Sequence, residues 1–142
     1  PQPYLQLPGP CGDDEAYYRP LFAFGDGLSY TSYRTDAITA TVTGDTVRAT
    51  VTVTNTGVPA GDAVVAVYVS RPVAELVAPD RRLVGFARLT LAGGQTGTVT
   101  VRIPRDRFAV TSGDVTGAGP ARVQPGGYRL TAGSVGTEFT VS

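Results

Sequence analysis

The chain has 142 residues, equal numbers of acidic and basic residues (12 of each), one cysteine and no histidine. Zero net charge argues against nucleic acid or an anionic membrane as a partner, and Cys11 alone cannot form an internal disulfide bond. The absence of histidine excludes a Ser-His-Asp arrangement and removes the commonest metal ligand, so we expect no metal and no cofactor. The length suits one domain with its own core, and no apolar run approaches the roughly 20 residues that span a bilayer.

Residues 1–20 are rich in proline, carry an acidic cluster and show no periodicity. This composition predicts a linker or the last loop of a preceding domain. Methionine is absent from the whole chain, so residue 1 is not a translation start. We therefore expect the chain to be part of a longer polypeptide.

Residues 21–35, which we call the strap, concentrate aromatic side chains and glycines without a helical or strand period. Aromatic rings expose large apolar faces when left in water, and glycine permits backbone angles that tight turns against a surface require. The strap is therefore predicted to pack against something outside the domain that follows. Its predicted docking residues are Phe22, Phe24, Gly25, Gly27, Leu28, Tyr30 and Tyr33.

From residue 36 to residue 142 the apolar pattern has a period of two, which is typical of half-buried strands. Gly44 and Asp45 predict a two-residue hairpin turn of the Gly-X kind. The continuously apolar run Ala63–Val69 predicts a central strand covered on both faces, and Phe86 and Phe139 are assigned to apolar-face positions. About seven strands bounded by glycine or proline predict an all-β chain folded as an antiparallel sandwich.

Two long irregular stretches, 71–82 and 111–127, interrupt this pattern. Long loops on a rigid sandwich often meet a partner, which makes Arg81 and Arg82 candidate contacts to a carboxylate; a solvated charged loop is the favoured alternative. Tyr128 follows Pro125 and two glycines and is predicted to form a tyrosine corner, with its hydroxyl bonded to nearby backbone.

Four motifs in order resemble the C-terminal fibronectin type III-like domain of glycoside hydrolase family 3, the β-glucosidases and β-xylosidases. RPLFAFGDGLSYT at 19–31 is similar to the family's PLFPFGxGLSYT, although alanine stands in place of the usual proline. The others are VTVTNTG with AGD at 51–62, VYVSRP and RRLVGFAR within 67–88, and QPGGYRLTAG at 124–133. The resemblance implies an immunoglobulin/fibronectin type III-like sandwich.

Glycoside hydrolysis needs two carboxyl groups on opposite sides of the scissile bond. The carboxylates of this chain fall mostly in predicted turns and loops, where turn geometry alone favours them. The resemblance implies that the nucleophilic Asp and the acid/base Glu lie in other domains of such an enzyme, and neither motif occurs here. We therefore assign no catalytic residue to this chain.

The first functional hypothesis is a non-catalytic accessory domain that packs on the catalytic domains of the same parent polypeptide and shapes the rim of the substrate cleft. The second is a module that binds polysaccharide or cell wall, because aromatic rings stack on sugars. The third is a generic surface interaction sandwich. The sequence does not fix the location, with a secreted protein slightly favoured over a cytoplasmic one, and we expect no nucleic acid and no membrane span.

Overall fold

A computed structural model of the chain describes residues 29–71, 81–111 and 120–141. Within these ranges the regular structure is strand apart from one 3-10 turn, and no helix is long and apolar enough to cross a membrane. The strands are β1 (Tyr33–Thr43), β2 (Thr46–Asn55), β3 (Gly61–Ser70), β4 (Arg82–Leu91), β5 (Thr96–Pro104), β6 (Val110–Thr111), β7 (Ala121–Arg122), β8 (Gly126–Ala132) and β9 (Val135–Val141), with the 3-10 turn at Arg105–Phe108.

The described strands form a three-stranded sheet, β1-β2-β5, and a four-stranded sheet, β4-β3-β8-β9, with β6 and β7 as a short separate ribbon. All strand pairs are antiparallel. The predicted all-β antiparallel sandwich is thereby confirmed, and its seven long strands correspond to the seven expected from the sequence. The two-residue strands β6 and β7 are additional; strands this short carry too little alternation to be read from a sequence.

The core lies between the two sheets and is built by alternation along each strand. On β2, Val47, Ala49, Val51 and Val53 are buried while the threonines between them face outward. The hairpin from β1 to β2 turns at Gly44. Its φ of 55° lies in the left-handed region that favours glycine, so the predicted Gly-X turn is confirmed. Regular burial on one side of each strand therefore explains the layered fold.

Three rings fill the part of the core beneath β8 and β9. Phe108, Tyr128 and Phe139 lie with ring centroids 5.5–5.7 Å apart, in two edge-to-face contacts and one stacked contact. Tyr128 donates its hydroxyl to the Gln124 carbonyl at 2.6 Å, which confirms the predicted tyrosine corner. The apolar ring is thus buried while its polar end is satisfied.

Two expectations about β3 and β4 are wrong. Val64, in the run expected to be covered on both faces, is 60% exposed, so β3 has one buried and one open face. Phe86 is 70% exposed, although it was assigned to an apolar-face position. The reason is a bulge: Val67 pairs with Gly85 but Tyr68 pairs with Leu83, so Val84 is an extra residue on β4. The bulge shifts the alternation by one residue and turns Phe86 outward.

Candidate docking site

The segment that leads into the sandwich, Ser29–Ser32, is held at one end of the two sheets. We call it the lead-in segment. Thr31 is buried, and its hydroxyl donates to Asn55 Oδ1 at 2.6 Å. The Ser32 carbonyl accepts from the Thr56 backbone N–H at 2.8 Å and from the Thr56 hydroxyl at 3.1 Å. The direction in which the chain arrives is therefore set by hydrogen bonds to the end of β2.

Asn55 is the centre of this arrangement. Its side chain is fully buried at the last residue of β2, and each of its polar atoms is bonded. Oδ1 accepts from Thr31 and from the Gly57 N–H at 3.0 Å, while Nδ2 donates to the Pro59 carbonyl at 2.9 Å and the Leu91 carbonyl at 3.2 Å. A buried amide satisfied in this way fixes the position of everything that bonds to it. Asn55 thus joins the lead-in segment to the loop before β3 and to the end of β4.

Two glycines allow the lead-in segment to lie close to the sandwich. A Cβ at Gly57 would lie 2.2 Å from Thr31 Oγ1, and a Cβ at Gly61 would lie 2.5 Å from the Tyr33 hydroxyl oxygen. Neither distance is compatible with a side chain unless Thr31 or the Tyr33 ring moves. The N-T-G motif therefore supplies the amide that holds the lead-in segment, and its glycine together with that of the A-G-D motif leaves the space that Thr31 and Tyr33 occupy.

The predicted docking residues have different outcomes. Phe22, Phe24, Gly25, Gly27 and Leu28 lie outside the described residues. Tyr30 is described and fully exposed. Its ring is therefore free of its own sandwich, and its contact with another domain stays a prediction. Tyr33 is instead the first residue of β1, half-buried and packed against the core of its own sandwich.

The two arginines proposed as loop contacts also differ. The Arg82 guanidinium donates to the Arg107 carbonyl at 2.6 Å and to the Ala109 carbonyl at 2.9 Å, so it braces the 3-10 turn and the residue after it. The exposed Arg81 places its guanidinium 4.9 Å from the centre of the Tyr68 ring, on the outer side of β3. The contact to a partner predicted for both arginines stays a prediction.

A second arginine braces the tyrosine corner from outside. Arg71 donates from Nη1 to Gln124 Oε1 and from Nη2 to the Pro125 carbonyl at 2.9 Å, and its guanidinium lies 5.4 Å from the centre of the Tyr128 ring. The turn before β8 is therefore tied to the end of β3, which makes this end of the sandwich stiff.

Two of the described carboxylates accept hydrogen bonds from neighbouring side chains. Asp36 accepts from the Thr54 hydroxyl at 2.5 Å and from Arg34 Nε at 2.6 Å, and these hydrogen bonds, the threonine bond first, hold the pKa of Asp36 below its ordinary value. Asp62 accepts from the Thr90 hydroxyl at 2.6 Å. Among residues 29–71, 81–111 and 120–141, no group of three or more His, Cys, Asp or Glu side chains could hold a metal ion.

Asn55 and Thr31 were not among the residues singled out from the sequence, although both lie in motifs that were noted. A signal for Asn55 was present. The alternation on β2 places every second residue inward, namely Val47, Ala49, Val51 and Val53, and Asn55 is the next residue in that series. A polar side chain at this position must be buried and therefore needs hydrogen-bond partners. No comparable signal marks Thr31, because a threonine between Tyr30 and Ser32 lies outside any alternating pattern and resembles ordinary loop sequence.

Comparisons with known proteins agree with this architecture. The profile of the Fibronectin type III-like domain matches residues 63–135. A β-xylosidase of Formosa agariphila is 34% identical over 94% of this chain and 19% of its own length, and a β-glucosidase of Rhizobium radiobacter is 39% identical over 91% of this chain and 16% of its own. The crystal structure of DesR, a β-glucosidase from Streptomyces venezuelae, superposes with a TM-score of 0.75 at 32% identity over 89% of this chain and 17% of that one.

These similarities extend over nearly the whole chain, whereas the chain spans a fifth or less of the length of each of these relatives. The matched profile covers half of the chain, from β3 into β9. The chain therefore belongs to the Fibronectin type III-like domain family, in the form that occurs within larger β-glucosidases and β-xylosidases.

Proposed function

We propose that this chain is a non-catalytic accessory domain of a glycoside hydrolase family 3 β-glycosidase, which packs on the catalytic domains of the same polypeptide, stabilises them and shapes the rim of the substrate cleft. The observation that carries the proposal is the buried Asn55–Thr31 contact, because it holds rigidly the point where the preceding polypeptide joins the sandwich. The relatives named above, in which a matching segment is a small part of a β-glucosidase or β-xylosidase, support the same assignment.

A rigid lead-in matters because domains joined by a free linker move independently unless a sizeable interface holds them together. Asn55 takes part in four hydrogen bonds that join the lead-in segment to the loop before β3 and to the end of β4. The point at which the preceding polypeptide joins the sandwich is thereby held at Thr31 and Ser32. Phe22 and Phe24 can then dock on a catalytic domain at a fixed angle, each contributing about 1.5–3 kcal/mol if fully buried.

The test uses the full-length parent polypeptide and the 142-residue chain in parallel. The double variant Phe22→Ala with Phe24→Ala is expected to lower the melting temperature and the aryl β-glycoside hydrolysis rate of the parent. The same variant in the 142-residue chain is expected to leave its melting temperature unchanged, because the rings would have no catalytic domain to contact. Unchanged stability and activity in the parent would contradict the role of the strap.

A carbohydrate-binding module is the second candidate, favoured by the exposure of Phe86 and Tyr30. Exposed rings stack on sugar faces, and a bound polysaccharide would hold the enzyme at its substrate. The 142-residue chain can be passed over cellulose, xylan and chitin. Binding of the unsubstituted chain to one of these polymers, together with loss of that binding in a Phe86→Ala variant, would establish this function. If the unsubstituted chain does not bind, the function is excluded for these three polymers.

A further inference from the structure

The outer faces of the two sheets have opposite chemistry. On the three-stranded sheet, threonine hydroxyls on β2 and β5 face each other across the strands in three pairs: Thr50 with Thr100, Thr52 with Thr98, and Thr54 with Thr96. Hydroxyls aligned in this way suit contact with water. The outer face of β3 and β4 instead presents a group of exposed aliphatic and aromatic side chains beside the exposed Asp62, Arg88 and Thr90.

The apolar residues of that second face are contiguous. Val64 is 60% exposed, Leu83 51% and Phe86 70%. Phe86 lies directly opposite Ala66, and Leu83 directly opposite Tyr68, in the β3–β4 register. We call Val64, Ala66, Leu83 and Phe86 the β3–β4 face. A contiguous apolar patch of this kind on a folded domain marks a contact surface rather than a random exposure.

Charged side chains of both signs border the β3–β4 face among the described residues. Arg88 is exposed and pairs with Val64 across the strands, and the exposed Arg81 lies over the Tyr68 ring. Asp62, which accepts from the Thr90 hydroxyl, lies at the start of β3. A surface complementary to the two arginines would carry carboxylates where it meets them.

The described chain joins the sandwich at the end from which β3 starts. Thr31 Cγ2 would lie 3.0 Å from a Cβ on Gly61, the first residue of β3, on the inner side of that strand. Val64 lies on the outer side, three residues further along β3, or roughly 10 Å at the rise of a strand. In the relatives more than four-fifths of the polypeptide lies outside the segment that matches this chain, which makes a large neighbour in the same polypeptide the candidate occupant of the face.

We propose that the β3–β4 face is a second docking surface, occupied by the catalytic region of the same parent polypeptide through an apolar patch edged by carboxylates that pair with Arg81 and Arg88. This inference rests on the proposed function and adds the face of the sandwich that makes the contact. The four residues are mostly aliphatic, which suits close packing against protein better than stacking on a sugar ring.

The position of the partner is tested by cysteine labelling with a maleimide, read at the labelled peptide by mass spectrometry. Phe86→Cys is made in the parent polypeptide and in the 142-residue chain, with Thr100→Cys on the polar face as the matched control. Labelling at position 86 is expected to be about tenfold slower in the parent than in the chain, because a covered thiol reacts only when the interface opens. Labelling at position 100 is expected to be equally fast in both. Equal rates at position 86 in both proteins would overturn the proposal.

The energetic consequence is tested with Phe86→Asp and Thr100→Asp. Phe86→Asp is expected to lower the melting temperature of the parent while leaving that of the 142-residue chain unchanged, and Thr100→Asp is expected to affect neither. A melting temperature that Phe86→Asp lowers only in the 142-residue chain would overturn the proposal. Two further results would overturn it. If the 142-residue chain dimerised with rising concentration and Phe86→Asp abolished the dimer, the occupant would be a second copy of the chain. If the chain were retained on xylan and Phe86→Asp abolished the retention, the occupant would be a sugar.

The two proposals fail in different ways. If deletion of residues 29–142 from the parent changes neither stability nor hydrolysis, the accessory function itself is wrong. If that deletion destabilises the parent but position 86 is labelled at the same rate with and without the catalytic region, only the assignment of the β3–β4 face is wrong.

Discussion

Thr31 supplies the hydroxyl that makes the burial of Asn55 possible. Asn55 stands at an inward-facing position of β2 with no exposed surface, and the Thr31 Oγ1 lies 2.6 Å from its amide oxygen. The pair connects the polypeptide that arrives from outside with the interior of the sandwich. Any displacement of the lead-in segment therefore removes one of the two hydrogen bonds that the buried Asn55 Oδ1 accepts, which couples the direction of the chain to the stability of the domain.

Asn55→Ala is expected to lower the free energy of unfolding of the 142-residue chain by about 3 kcal/mol, because the Gly57 N–H and the Pro59 and Leu91 carbonyls would lose their partner. Urea-induced unfolding followed by circular dichroism measures the change. Thr98→Ala, on the exposed face, is the control and should stay within about 0.5 kcal/mol of the unsubstituted chain. Equal effects of the two substitutions would contradict the central role of Asn55.

Gly57→Ala is expected to destabilise the chain by about 2 kcal/mol, because the new Cβ would overlap Thr31 and push the lead-in segment away. Gly127 is the matched control, since a Cβ there meets nothing within 4 Å and its φ is not in the left-handed region. Thermal unfolding of Gly57→Ala and Gly127→Ala gives the comparison. A Gly127→Ala variant as unstable as Gly57→Ala would show that the loss of stability comes from replacing glycine in general and not from the contact with Thr31.

Tyr128→Phe is expected to cost about 1–1.5 kcal/mol of stability, because the Gln124 carbonyl loses the hydroxyl that donates to it while the ring stays in the core. The aromatic contacts with Phe108 and Phe139 do not involve the hydroxyl and should persist. Denaturant unfolding measures the cost. Tyr30→Phe removes the hydroxyl of a fully exposed ring and should leave stability unchanged; a neutral Tyr128→Phe would argue that the corner does not stabilise the fold.

The contribution of Asp36 to stability is expected to disappear in acid. Its folded-state pKa lies below the ordinary value, chiefly because of the Thr54 hydroxyl and then because of Arg34, so its ionised form is favoured by folding. The contribution is complete above the ordinary carboxyl pKa and is lost as the pH falls through the depressed one. The difference in unfolding free energy between the unsubstituted chain and Asp36→Asn should therefore be present at neutral pH and vanish in strong acid.

Nuclear magnetic resonance titration separates the two causes of the Asp36 shift. Thr54→Val should raise the pKa of Asp36 toward its ordinary value by more than Arg34→Gln does, since the hydroxyl makes the larger contribution. The reverse order would assign the shift to the arginine.

The sequence predicts the layered fold well because one rule, alternation of apolar and polar residues, operates on every long strand. It predicts the tyrosine corner and the Gly44 turn for a similar reason, since each depends on residues within a few positions of one another. The rule fails at Phe86, which it assigns to the apolar face and which is exposed. The bulge at Val84 depends on how β3 pairs with β4, and a single extra residue reverses the direction of every side chain after it.

The sequence by itself therefore determined the all-β class, the seven long strands and the alternating core residues of strands such as β2, because a period of two along one strand can be recognised without knowledge of the strands that pair with it. Only the tertiary structure decided that Thr31 meets Asn55, that Arg82 braces the 3-10 turn while Arg81 lies on the outer face, and that the β3–β4 face is apolar. These relations join residues far apart in the chain, and they depend on sheet register and loop path, which local periodicity does not encode.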